Sequence, residues 1–242
     1  MKTFWNKVAL FSLSAALLLA GCSSTSSTTS SQSSSESTSQ SSSSVAKQDH
    51  SIPGGQQYEA VITIEGYDTP IVFDMDEGIA PETVDNFVSL AQSGFYDGLT
   101  LHRIMEGFMI QGGDPRGNGT GGSSHQITGE FASNGFDNSL KHVRGTVSMA
   151  RSTDPDSASS QFFIVQEDSS SLDGQYAAFG TVVSGMETVD AIAAAAEPTD
   201  DNGTIEKEAQ PIITSIVVTK KDPTNTSSSA TSSEVSQSSE TN

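Results

Sequence analysis

The chain has 242 residues, of which 30 are acidic and 11 basic, for a formal net charge of −19 at pH 7. That imbalance disfavours binding to nucleic acid, or to anionic lipid through a basic patch. With a single cysteine, Cys22, the chain has no partner for an internal disulfide.

Lys2 and Lys7 flank the start of the chain, and an apolar run from Val8 to Ala20 follows. The run is too short for a comfortable membrane span and reads as an export signal. It ends in Leu19-Ala20-Gly21-Cys22, which resembles the lipobox of bacterial lipoproteins. That resemblance implies cleavage before Cys22 and a diacylglyceryl group on its sulfur. More than one acyl chain on a residue anchors stably where a single chain does not. From Ser23 to Ser44 only Gln32, Glu36 and Gln40 interrupt Ser and Thr, and the stretch from Thr224 to Asn242 is almost as poor. Neither stretch can bury enough apolar surface to offset the entropy of ordering its backbone. The expected organisation is a lipoprotein signal at 1–21, a lipidated Cys22 heading a disordered Ser-rich tether at 22–56, one folded domain at 57–221, and a disordered tail at 222–242. A tether of this composition has a mean reach of roughly 30 Å.

Within the domain, Tyr58–Ile64 and Ile71–Met75 alternate apolar and polar residues around Gly66-Tyr67-Asp68-Thr69-Pro70, predicting two strands and a turn. Pro81 and Glu82 open a helix whose inner face carries Val84, Phe87, Val88 and Ala91, and Gly94 stops it. Short apolar runs at Thr100–Met105, Phe108–Gln111, Gly145–Met149, Gln161–Val165 and Ala178–Val183 are each bounded by Gly, Asp or Pro and read as strands. A second helix is predicted over Met186–Ala195, and a closing strand over Ile212–Thr219. Many short strands with one early and one late helix argue against alternating βαβ units. The expected fold is mainly β: a closed eight-stranded antiparallel β-barrel capped by two α-helices.

On alternation alone, Arg103 shares a face with Leu101 and Met105, and Met109 shares one with Gln111 on the following strand. An arginine on its own is most simply a surface residue. Its company here is Phe108, Met109, Gln111 and the pair Phe162-Phe163, of which alternation sends one to the core and the other to a pocket. His50, His125 and His142 show no metal-ligand spacing with His102 and read as solvent or loop residues. Asp74, Asp76 and Glu77 read as a solvated turn, because no twelve-residue calcium loop surrounds them. Gly117–Gly122 satisfies G-x-G-x-x-G, but no strand leads directly into it and no helical periodicity follows. Its glycines fit a loop that turns tightly beside a groove.

Three segments carry a specific resemblance to the cyclophilins: His102-Arg103-Ile104 with Gly107-Phe108-Met109-Ile110-Gln111-Gly112-Gly113-Asp114, then Asn118-Gly119-Thr120-Gly121-Gly122, then Ser160-Gln161-Phe162-Phe163-Ile164. It spans about Tyr58 to Lys221. The resemblance implies the same barrel and a peptidyl-prolyl cis-trans isomerase activity, with Arg103 catalytic and Gln111 as its polar partner. It implies a proline pocket of Phe108, Met109, Phe162 and Leu172, with His102 and Tyr176 at its edges and Ala150 and Arg151 among the substrate-binding residues. Ser171, Tyr176, Arg151 and Ser152 depart from the better-known eukaryotic pattern, which has Trp, His, Asn and Ala there. The missing indole implies weak cyclosporin binding, an expectation that nanomolar inhibition would contradict.

Rotation about an X–Pro bond is opposed by amide resonance, with a barrier of about 18–20 kcal/mol. No bond breaks and no proton moves, so neither metal, cofactor nor nucleophile is called for, and His102 is not needed as an acid or base. The requirements are an apolar pocket for the ring, donors for the turning carbonyl, and a cation that favours a pyramidal prolyl nitrogen with a localised lone pair. Binding the twisted state more tightly than the planar one by about 7 kcal/mol would accelerate rotation on the order of 10⁵-fold. The expected partners are X–Pro segments of exported proteins, met by a lipid-anchored monomer at the outer face of the cell membrane. A different class of function uses the same pocket: a surface-displayed module or adhesin that binds proline segments without turnover.

Overall fold

The computed structural model describes residues 55–221; the signal, Cys22, most of the Ser-rich tether and the tail lie outside the described residues. β1 (Gln57–Ile64) and β2 (Ile71–Asp76) pair antiparallel. Their alternation is real: Tyr58, Ala60, Ile62 and Ile64, with Ile71, Phe73 and Met75, are buried while the residues between them are not. α1 (Pro81–Gln92) buries Val84, Phe87, Val88 and Ala91. The residue before it, Ala80, has no side chain that could cap it. A buried carboxylate from a distant loop does so instead, as Glu130 accepts the backbone N–H groups of Glu82 and Thr83 at 3.0 and 2.8 Å. Desolvation raises the Glu130 pKa in spite of these bonds.

Next come β3 (Thr100–Met105), β4 (Met109–Asp114), β5 (Thr146–Met149), β6 (Phe162–Val165), β7 (Ala178–Ser184), α2 (Met186–Ala195) and β8 (Ile213–Lys221). The strands form one antiparallel sheet in the order β3-β4-β6-β5-β7-β2-β1-β8. The sheet curls until its two edges meet in a short seam rather than a continuous ladder. Gly98 N–H donates to Ile213 O at 2.8 Å, Ile213 N–H to Leu99 O at 2.7 Å, and Leu101 N–H to Pro211 O at 2.9 Å. Pro211 has no N–H to return, which limits the ladder at this point. Short 3₁₀ turns at Ala132–Asn134, Ser170–Leu172 and Lys207–Ala209 were not signalled by periodicity.

Inside the curl, Phe87 is the centre of an aromatic cluster. Its ring lies 5.6 Å from Phe73, 5.1 Å from Tyr96, 5.5 Å from Phe162 and 5.2 Å from Phe179. Each such pair contributes about 0.5–1.5 kcal/mol beyond the area it buries.

Two local expectations are corrected. A register shift between Leu101 and Arg103 inserts His102 as a bulge in β3, so Leu101 turns into the core while Arg103 faces out with Met105. Asp74 is not in a solvated turn: it lies within β2, where Lys221 Nζ reaches its two carboxylate oxygens at 2.8 and 2.7 Å.

Candidate active site

The register of three strands builds the site. Arg103 on β3 pairs with Gln111 on β4, which pairs with Phe163 on β6; beside this row runs Met105, Met109 and Val165. The intervening row, Ile104, Ile110 and Ile164, points into the core. A second apolar cluster therefore forms on the opposite face of the same strands: Met109, Phe163 and Val165, covered by Met105, Phe108, Ala150, Leu172 and Tyr176. Over it opens a cavity of about 350 Å³, lined by His102, Arg103, Phe108, Met109, Gln111, Asn118, Gly119, Ala150, Arg151, Phe163, Leu172, Tyr176 and Thr204. Its apolar floor and scattered donors suit a ring with a polar flank.

Arg103 is half-buried and held from several sides. Nε donates to Asn202 O at 2.6 Å and Nη1 to Gln111 Oε1 at 3.1 Å, while Nη2 lies 3.2 Å from Met105 Sδ. Its guanidinium carbon stands 5.9 Å from the centre of the Phe108 ring. Burial lowers its pKa and Asp200 partly offsets that pull, and a guanidinium keeps its charge at neutral pH under either influence. Gln111 is oriented in turn, since its Nε2 donates to Gln161 Oε1 at 2.9 Å, and Gln161 Nε2 donates to Gly121 O at 2.8 Å. The cation is thus presented on a fixed fork with donor capacity toward the cavity.

His102 is 3% exposed, and neither ring nitrogen finds a hydrogen-bond partner. Desolvation lowers its pKa, with Asp114 opposing, so the ring is neutral near pH 7. It forms a wall of the cavity.

One residue predicted for the pocket is elsewhere. Phe162 is 1% exposed and packs against Phe87 and Tyr96 in the core, and Phe163 takes the pocket position. The parity of a strand decides this, and sequence alternation left open which of the two phenylalanines faces outward. His142 lies in a loop, one of the two alternatives the sequence leaves open, but at 1% exposure it is buried and away from solvent. Its ring stacks behind Phe163 at 6.1 Å, with Nδ1 3.1 Å from Asp173 Oδ1 and Nε2 3.0 Å from Ser148 Oγ. The order Ser, His, Asp matches that of a nucleophilic triad, but Ser148 is fully buried and no substrate reaches it. Asn118, Gly119, Phe163 and Thr204 complete the lining; of these, Thr204 carries no signal in the sequence, because the loop bearing it is brought in by backbone bonds such as Ile104 N–H to Gly203 O at 2.8 Å.

The loop after β4 is anchored from below. Asp114, 1% exposed, accepts the N–H groups of Arg116 at 2.8 Å, Asn118 at 3.1 Å and Gly119 at 2.7 Å. Burial would raise its pKa, but these backbone donors hold it below the ordinary carboxylate value. Gly113 precedes it at φ 82°, where a Cβ would fall within 2.4 Å of Ser160 O. A larger cavity of about 940 Å³ lies against α1, lined by Glu82, Asp85 and Glu130 among others. It holds no arginine or lysine and so lacks the cation that this chemistry requires.

Comparison with known proteins agrees with this geometry. The sequence model of a family described as "Cyclophilin type peptidyl-prolyl cis-trans isomerase/CLD" matches residues 60–231. The chain is 44% identical over 127 residues to a peptidyl-prolyl cis-trans isomerase of Helicobacter pylori (strain J99), covering 52% of this chain and 74% of that protein. To peptidyl-prolyl cis-trans isomerase B of Bacillus subtilis (strain 168) it is 46% identical over 117 residues, 48% of this chain and 78% of that one. Among solved structures, a cyclophilin type isomerase of Cryptosporidium parvum, crystallised in the presence of the dipeptide Ala-Pro, aligns with a TM-score of 0.58 at 30% identity. That alignment covers 67% of this chain and 99% of the other.

Proposed function

The chain belongs to the cyclophilin family and is a peptidyl-prolyl cis-trans isomerase; we propose that it acts on X–Pro bonds of exported polypeptides, at the outer face of the cell membrane, held by lipid on Cys22. The observation that carries the catalytic part is the placement of Arg103 over an apolar cavity, fixed by Asn202 O and Gln111. The proline ring rests on Met109, Phe163 and Leu172, with Phe108 and Tyr176 alongside. Arg103 donates a hydrogen bond to the prolyl nitrogen as its lone pair localises, a contact the planar amide does not offer. Gln111 keeps the guanidinium aimed, and the side-chain amide of Asn118, on the loop that lines the cavity, donates to the carbonyl as it turns. An interaction present only in the twisted state raises the rate rather than the affinity.

Export and anchoring are supported by Lys2, Lys7, the apolar run to Ala20 and Leu19-Ala20-Gly21-Cys22. The net charge of −19 fits a chain tethered by lipid and otherwise repelled by an anionic envelope. Cell fractionation with a Cys22→Ser variant tests this part. The intact protein should sediment with membranes and partition into detergent, and the variant should not, while both isomerise a short X–Pro peptide equally. Equal membrane retention of the two forms would remove the anchor from the account; absence of turnover in both would leave a proline-binding module in place of an enzyme.

A further inference from the structure

Two cavities meet at Arg151. The one over Phe163 and a neighbour of about 530 Å³ share Gln111, Gly119, Ala150 and Arg151 as common walls. Although the chain carries 30 acidic residues against 11 basic ones, no Asp or Glu lines either cavity, whereas Arg103, Arg116 and Arg151 do. The ion pairs among the described residues engage Lys141, His142, Arg144 and Lys221 and none of these three arginines. Asp114, beneath the loop that bears Arg116, is occupied by backbone N–H groups.

Arg151 is fixed without being neutralised. Its guanidinium carbon lies 5.0 Å from the centre of the Phe131 ring and 4.8 Å from that of Tyr176. Nε and Nη2 donate to Gln175 O at 3.0 and 2.9 Å, and Nη1 donates to Ser152 O at 2.9 Å. Every partner is uncharged, so the position is set and the charge is left for a ligand. Arg116 is exposed, with only the Thr120 oxygens at 3.4 Å from its Nη1. The shared wall sets the second cavity beside the Phe163 floor, within reach of residues that flank a proline seated there.

We propose that the neighbouring cavity selects X–Pro segments with a carboxylate side chain close to the proline, received by Arg116 and Arg151. The proposal rests on the isomerase reading of the adjoining site and adds its preferred substrate class. A cleft of one sign concentrates ligands of the other. At physiological ionic strength the screening length is about 8 Å, so the distant acidic surface is largely screened while a contact inside the cleft is not.

The test is kcat/KM of the full protein on matched peptides with Glu, Gln or Lys at each of the three positions before and after the proline, at low and physiological salt. On one flank Glu should exceed Gln by about fivefold, the upper range for a solvent-accessible ion pair, and Lys should fall below Gln, with both differences shrinking as salt rises. Arg116→Gln and Arg151→Gln should each move the Glu-to-Gln ratio toward one, and the ratio is insensitive to a general loss of activity. Arg116 is exposed and outside the apolar cluster, so its substitution remains informative if the Arg151 variant folds poorly. No preference for Glu at any position, or a preference that survives both substitutions, would overturn the proposal. Failure of the Gln peptides to turn over would instead strike at the isomerase reading.

Discussion

Phe162 and Phe163 are neighbours of identical chemistry with opposite tasks. The first fills the core between Phe87 and Tyr96, and the second forms the floor of the cavity with Met109, over the buried Val165. Phe162→Ala should cost about 3–5 kcal/mol of stability, as removal of a core aromatic does, with kcat/KM of the surviving folded fraction near normal. Phe163→Ala should cost less stability, because the cavity already admits solvent to one side of the ring, while KM for X–Pro peptides rises. Denaturant titration alongside peptide kinetics checks both; a larger stability loss at Phe163 than at Phe162 would show the assignment to be reversed.

At the scale of elements, the strands and helices were readable because periodicity and glycine breaks mark them locally: α1 starts at Pro81 as its first-turn signal indicates, and α2 spans Met186–Ala195 as expected. What could not be read is the relation between elements. The bulge at His102 reverses which face Leu101 occupies, and nothing in Leu101-His102-Arg103 announces an extra residue. The burial of His142 depends on Asp173 and Ser148, partners supplied by other segments. The cap on α1 comes from Glu130, 48 residues away. That Arg103, Phe108, Met109 and Gln111 come together around one cavity was nonetheless legible, since they sit on one hairpin whose turn and strands are local.

The loop following β4 gives a prediction of its own. The folded state holds the Asp114 pKa below its unfolded value of about 3.9, so the folded protein binds fewer protons between the two values. The resulting stabilisation is complete above the unfolded value and is lost as pH falls through the folded one. Unfolding measured from pH 7 down to pH 2 should therefore show a stability loss below about pH 4 that is smaller in Asp114→Asn. At neutral pH that variant should be less stable by on the order of 1–3 kcal/mol, through weakened bonds to a buried acceptor. An unchanged acid limb would remove Asp114 from this role.

At the largest scale, the fold separates two apolar clusters on opposite faces of one curled sheet, the larger maintaining the structure and the smaller underlying the cavity proposed to receive the proline. The central claim is that Arg103 acts on the twisted bond and not on binding. Cis–trans exchange of a short X–Pro peptide, followed by two-dimensional NMR together with the peptide dissociation constant, tests this most directly. Indole fluorescence is unsuitable because the only tryptophan is Trp5, in the predicted signal. For Arg103→Ala, kcat/KM should fall by about 10²–10³-fold, the loss typical of an electrostatic contact made in the transition state, while the dissociation constant changes by less than about fivefold. Arg103→Lys should recover only part of the rate, lacking the planar fork that Gln111 and Asn202 hold. Exchange in Arg103→Ala at the rate of the intact protein, or a loss of binding equal to the loss of rate, would contradict the account.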